Sequence, residues 1–276
     1  MRLLTPTTLN EALEYLAAAP ADEPLIPVAG GTDLLVSWHH HAKDDWNLLD
    51  LSRLHDALQP IRLTDTGLQL GGLTTYWDVI SSEEVGAAFP LLSEAARQVG
   101  AIQIQTRGTW AGNIGNSSPA ADGVPVMMVY DALVVLQSLR ERREVPLDRY
   151  YTGYKQTVRR PDELIVAIHM PRRRRTVEWF HKVGARAAQA IAKLGVAVVQ
   201  DECGWRVAAN SVAPVVCRCR HLEAALADGV AFARVEDLQA ILSKDVSPID
   251  DLRSTARYRE SVLARLLYDK LVANGD

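Results

Sequence analysis

A chain of 276 residues with 48% hydrophobic and 23% charged side chains is long enough for about two packed units, and its balance excludes a disordered or fibrous protein. A net charge of −4 excludes the basic surplus with which nucleic-acid binders neutralise phosphates. No apolar run reaches the length of a membrane span and the N-terminus carries no signal-peptide core, so a cytoplasmic protein is expected.

Thr8 and Glu11 stand at capping-box spacing ahead of apolar Leu9, Leu13 and Leu16, and Pro20 stops the pattern, which predicts an amphipathic helix over residues 8–19. A strand over residues 25–29 then runs into Gly30 and Gly31, and helical character resumes over residues 32–39. Such a strand, glycine turn and helix unit presents backbone N–H groups to an anion at the positive end of a helix. Strands are expected over residues 47–51 and 68–71 and a helix over residues 90–99, ended by Gly100. A second glycine-containing loop follows, in which Thr109, Gly112, Asn113, Asn116, Ser117 and Ser118 crowd small and polar groups ahead of Pro119 and Asp122. Asp122 has two roles open to it, accepting a hydrogen bond from a sugar hydroxyl or capping a helix over residues 123–130.

Residues 134–138, 163–170, 177–183, 192–200 and 205–212 read as strands of a mainly antiparallel sheet. Pro171 and the run Arg172 to Arg175 are the sharpest break in composition, expected as a solvated linker at a domain boundary. Helices over residues 222–227, 235–242 and 255–273 close the chain.

Neither glycine segment matches the dinucleotide fingerprint or the phosphate-loop pattern, which argues against a Rossmann domain and a nucleotide hydrolase. His39, His40 and His41 sit side by side on a helix end, where successive side chains diverge by about 100° and fail to converge on one ion. Cys203, Cys217 and Cys219 form neither a disulfide framework nor a paired metal set, and two close thiols fall short of the four ligands of an iron–sulfur cluster. No metal site is expected.

Together, AGGTDLL at residues 29–35, TWAGNIGNSSPAAD at 109–122 and FHKVGARAAQAIAK at 180–193 resemble the FAD-binding subunits of molybdenum hydroxylases, with AGGTDLLVSWHHH similar to bacterial xanthine dehydrogenase FAD subunits in particular. The resemblance implies an α+β protein: a vanillyl-alcohol-oxidase/PCMH-type FAD-binding domain over residues 1–171, built of subdomains at about 1–55 and 56–171, then a C-terminal flavoprotein domain over 176–276. It implies that Ala29, Gly30, Gly31, Thr32 and Asp33 wrap the pyrophosphate while Leu34 approaches the flavin ring. Thr109, Gly112, Asn113 and Asn116 would hold the phosphates and ribityl chain, Asp122 a sugar hydroxyl, Leu164 the adenine or ring edge, and Lys182 a flavin carbonyl. Ile26, Val28, Val99 and Ala111 complete the implied cofactor-binding set, and Arg186 would guard access to the ring.

Where that family has a double glycine, this chain has Ala111–Gly112, a methyl group that a positive φ would resist. Trp110 is bulkier than the usual aliphatic residue, and would pack under the loop or face a partner subunit.

No catalytic residue is expected in the chain, since flavin chemistry belongs to the cofactor. The implied function is electron transfer in a multi-chain hydroxylase, with molybdopterin on a large partner subunit, [2Fe–2S] on a small one, and NAD or another carrier as final acceptor. A non-catalytic flavin-binding or assembly protein and a stand-alone FAD oxidase are the rival expectations.

Overall fold

The structure, a computed structural model, describes residues 2–38, 46–58 and 60–273. His39, His40 and His41 lie outside the described residues.

The first helix, Leu9–Ala18, starts where Thr8 accepts a hydrogen bond from the Glu11 N–H at 3.1 Å. The reciprocal bond of the capping box is shifted by one residue, because Glu11 accepts from the Thr7 N–H instead. Ala12, Leu13 and Leu16 bury one face of this helix. They pack with β1 (Arg2–Leu4), β2 (Ile26–Val28) and β3 (Asn47–Asp50), a small parallel sheet of order β1-β3-β2.

A second sheet is antiparallel. Its strands β4 (Ile61–Leu63), β5 (Gly67–Gly71), β6 (Leu133–Gln137) and β7 (Arg142–Pro146) are followed by a small hairpin of β8 (Tyr151–Gly153) and β9 (Gln156–Thr157). Then β10 (Leu164–Pro171) returns to the centre, giving the order β4-β5-β10-β6-β7. Short helices between β5 and β6, among them Tyr76–Ile80, Pro90–Arg97 and Gly123–Val129, fill the main core with Phe89, Trp110, Met127 and Tyr130. Gly123–Val129 is buried at every position, as expected of a helix covered on all sides.

β11 (Arg175–Val183), β12 (Leu194–Asp201), β13 (Gly204–Asn210) and β14 (Cys217–Arg218) form a third, antiparallel sheet. One face, with Phe180, Ala197, Val199 and Ala208, joins the main core. The other, with Val196, Val198 and Val207, is covered by the helices Arg220–Ala227, Val235–Leu242 and Ala256–Tyr268. The strands expected as one sheet are therefore divided between two, because β10 pairs with β5 and β6 and the chain turns away after Pro171.

The arginine run keeps the expected solvated linker at Arg172 and Arg174, which are exposed, and departs from it at Arg173 and Arg175. Arg175 is 4% exposed, donates to the Ala88 carbonyl at 3.0 Å and lies over the Phe89 and Tyr130 rings at 4.7 and 4.3 Å. Arg173 bonds Asp131 at 2.5 Å. Planar guanidinium groups stack on aromatic faces while keeping their N–H donors satisfied, so Arg173 and Arg175 fasten β11 to the layer beneath it.

Candidate functional site

β2 delivers the chain into Ala29 and Gly30, and Gly30 is pressed against a distant segment. A Cβ placed on it would stand 1.8 Å from the Arg107 carbonyl oxygen, so only glycine fits. Gly31 has φ +71°, in the left-handed region that glycine reaches without steric cost. The Gly31 carbonyl accepts from the Leu35 N–H at 3.0 Å, which closes the turn into the helix Leu34–Trp38. Thr32 and Asp33 thus belong to the turn, and the helix begins two residues later than expected.

The contact with Arg107 places the first glycine segment beside the second. Residues 108–110 are pinned from their other side, where Tyr76 donates its N–H to the Gly108 carbonyl and Trp110 donates its own to Thr74, both at 3.1 Å. The expected loop is then a helix, Trp110–Asn116. Thr109 caps it, its hydroxyl accepting from the Gly112 N–H at 2.9 Å, and Trp110 and Ile114, one turn apart, are both fully buried. The cap sets where the helix starts, and burial of this i, i+4 apolar pair in the core holds the segment helical. Ala111 lies inside the helix, so the methyl group meets no positive φ. Trp110 packs under the segment, edge-to-face with Tyr76 at a centroid distance of 4.9 Å.

Between the two segments runs a cleft of about 730 Å³, within the range of small-molecule sites. Ile26, Val28, Ala29, Gly30, Gly31, Thr32, Asp33 and Leu34 line one part of it. Val99, Thr109, Ala111, Gly112, Asn113, Asn116, Asp122 and Leu164 line the rest. Lys182 does not line the cleft; it faces a smaller cavity beside it, with Gln98 and the loop from Gly184 to Ala190. The two are joined through Asp122, whose Oδ2 accepts from Lys182 Nζ at 2.7 Å, and the same ammonium donates to the Gln98 carbonyl at 2.7 Å.

Asp122 therefore does not cap the helix Gly123–Val129 with its side chain. Burial pushes its carboxyl above the ordinary carboxylate value, while the Lys182 charge and hydrogen bond and the nearby Asn210 amide draw it back. Its Oδ1 and the Asn113 Oδ1 are buried without a hydrogen-bond partner. Two orphaned acceptors in one cleft wall are costly unless a donor is supplied. Hydroxyls of a sugar or ribityl chain have the matching chemistry, so the residues present fit a flavin dinucleotide.

Glu163, also in the cleft wall, is already satisfied. Burial works against its charge, yet Arg143 at 2.7 and 2.9 Å and the Arg160 N–H at 2.7 Å hold its carboxyl below the usual range. The cleft further gathers Tyr76, Gly100, Ile104, Lys155, Arg159 and Arg253, none of which sequence reasoning assigned to the site. The one signal for Lys155 and Arg159 was the density of arginine and lysine between residues 140 and 160.

Comparison with known proteins agrees with this geometry. The family described as the FAD binding domain in molybdopterin dehydrogenase matches residues 1–173, and the CO dehydrogenase flavoprotein C-terminal domain matches residues 179–272. The xanthine dehydrogenase FAD-binding subunit of Escherichia coli O157:H7 is 31% identical over 91% of this chain and 88% of its own. The carbon monoxide dehydrogenase medium chain of Hydrogenophaga pseudoflava is 30% identical over 95% of this chain and 92% of its own. Among solved structures, the carbon monoxide dehydrogenase of H. pseudoflava that lacks the Mo-pyranopterin moiety of its molybdenum cofactor superposes with a TM-score of 0.88 at 29% identity, covering 98% of this chain and 96% of that one. With the two glycine segments meeting in one cleft and both family descriptions matched in order, the chain belongs to the FAD-binding medium subunits of the molybdenum hydroxylases.

Proposed function

We propose that this chain is the electron-relay subunit of a cytoplasmic molybdopterin-dependent hydroxylase of the xanthine dehydrogenase kind. In this reading it takes electrons from a [2Fe–2S] partner subunit, supplied in turn by a molybdopterin-binding large subunit, and passes them to NAD or another acceptor. The observation that carries it is the meeting of Gly30 with Arg107 and Gly108, which turns two segments far apart in sequence into the walls of one cleft, with buried orphaned acceptors on two of the residues that line it.

FAD, when bound, supplies the chemistry that exchanges electrons one or two at a time with neighbouring centres. The chain positions it. Backbone N–H groups of the Ala29–Asp33 turn and of the helix start at Ala111 suit phosphate oxygens. The Thr109 oxygen is occupied as an acceptor by Gly112, which leaves its hydroxyl proton to donate. Asp122 Oδ1 and Asn113 Oδ1 accept from sugar hydroxyls. Lys182 has committed Nζ to the Gln98 carbonyl and the Asp122 carboxylate, and an ammonium has a third proton for a flavin carbonyl. The matches at residues 1–173 and 179–272 support a division into domains at 1–171 and 176–276.

Purification of the chain with the products of neighbouring genes tests the proposal. The expected result is a complex with flavin absorbance and with molybdenum and iron by elemental analysis. A complex without flavin, or with flavin but neither metal, would overturn it.

A further inference from the structure

The diphosphate of a flavin dinucleotide is doubly anionic, and neither glycine segment brings a cation to it. Among the described residues that line the cleft, positive charge is carried by Lys155, Arg159 and Arg253. Arg253 is committed, with Nε 3.1 Å and a terminal nitrogen 2.9 Å from Asp251 Oδ2. Lys155 and Arg159 differ from it. The Lys155 ammonium donates to the Asn116 carbonyl at 2.8 Å and to the Asn116 Oδ1 at 2.7 Å, both uncharged. Arg159 donates to the carbonyls of Arg160 and Glu163 at 3.2 and 2.8 Å, again uncharged. Among the described residues, no carboxylate stands within ion-pair distance of either group.

The other charged side chains of the cleft walls are acidic. Asp33, Asp122 and Glu163 line them, and although the last two have cationic partners outside the cleft, Asp33 is exposed. A doubly charged ligand therefore needs countercharge from the rim, and the hairpin β8–β9 with the segment just after it supplies it. Lys155 sits in the turn of that hairpin with φ +57°, a conformation in which asparagine or glycine is the ordinary choice and a lysine carries a steric cost. A lysine in that place is accounted for by what its side chain reaches: the last turn of the helix Trp110–Asn116, across the rim from its own backbone.

We propose that Lys155 and Arg159 form a cationic clasp for the diphosphate of the cofactor, so that the β8–β9 hairpin selects the dinucleotide over flavins without phosphate. The inference rests on the flavin reading above and adds to it a specificity device built from two residues outside the glycine segments. Charge-assisted hydrogen bonds to phosphate are roughly twice as strong as neutral ones, so each residue is worth a measurable factor in affinity. A competing role exists for Lys155, as a plain cap on the carboxyl end of a helix. That role would not distinguish one flavin from another.

Titration of the full-length chain, freed of bound flavin, with FAD and separately with riboflavin tests the clasp by fluorescence quenching. Lys155→Met and Arg159→Met are each expected to weaken FAD binding about tenfold and to leave riboflavin binding unchanged. Lys155→Arg should restore FAD to within about threefold of the parent, and the salt dependence of FAD binding should flatten in the methionine variants. Equal losses for FAD and riboflavin, accompanied by a lower melting temperature, would assign Lys155 to helix capping and overturn the clasp. Unchanged FAD affinity in both methionine variants would also overturn it. A parent chain that takes up no FAD would instead sink the flavin reading beneath it.

Discussion

The pairs Gly30–Gly31 and Ala111–Gly112 both line one cleft, and they are small for different reasons. In the first, backbone meets backbone: the Arg107 carbonyl occupies the space of any Cβ on Gly30, and Gly31 turns through positive φ. In the second, the chain is helical. Ala111 fits a conformation that every residue adopts, and Gly112 is crowded only by the Thr109 hydroxyl that caps it, 2.7 Å from where a Cβ would stand. Similar composition thus encodes a strict turn in the first segment and a capped helix start in the second, where Gly112 must stay small beside its cap while Ala111 is free of that constraint, and a family difference at Ala111 carries little structural weight.

Substitution separates the two cases, and Gly30→Ala should do so most severely. The added methyl must drive the Arg107 segment away, at an expected cost above about 3 kcal/mol. Denaturant unfolding should show that loss, together with absence of flavin absorbance in purified protein. A variant that unfolds like the parent would mean that the two segments are not in contact.

The Asp122–Lys182 pair, just beyond the helical segment, comes next. Lys182→Met leaves a buried carboxylate without its counter-ion, an expected loss of about 2 to 4 kcal/mol at neutral pH. The sign with pH follows from the direction of the Asp122 shift. A carboxyl raised above its unfolded value stabilises the protein relatively while protonated and loses that contribution as pH rises through its folded titration. The deficit of Lys182→Met relative to the parent should therefore be largest at about pH 7 and shrink toward about pH 4, read from urea midpoints. A deficit independent of pH would place the loss in packing rather than charge. The same variant should alter the flavin potential if Lys182 reaches a flavin carbonyl.

Gly31→Ala should cost about 1 kcal/mol, a conformational penalty without a clash, since an added Cβ meets nothing closer than Leu35 at 3.7 Å. Smallest of all, Ala111→Gly should restore the family's double glycine yet destabilise the chain by about 0.5 to 1 kcal/mol, because glycine inside a helix loses backbone entropy on folding. FAD affinity should stay within about twofold. A gain in stability there would show that the segment is not helical in solution.

Much of the fold was legible where the signal is local. The capping threonine of the first helix, the closing helices and the long β-strands all rest on periodicity and end signals that neighbouring residues supply. The helix Pro90–Arg97 was legible from its spacing, whereas short helices such as Tyr76–Ile80 and Trp110–Asn116 were not, because each spans one or two turns and is held by burial of residues such as Tyr76 and Trp110 rather than by a repeating pattern. The division of the later strands between two sheets was equally hidden, since pairing partners are decided by segments far apart in the chain.

For the site, sequence alone determined the chemical inventory: two clusters of small and polar residues, Asp122, and a lysine in the third segment, all tied to FAD by family resemblance. Only the tertiary structure decided how they are used. It placed Lys182 behind Asp122 rather than in the cleft wall, made fastenings of Arg173 and Arg175 within the linker, and brought Lys155 and Arg159 to the rim. The physical reason is that a residue's type records what bonds it can make, whereas burial and opposing charge, which select among those bonds, exist only when distant parts of the chain have met.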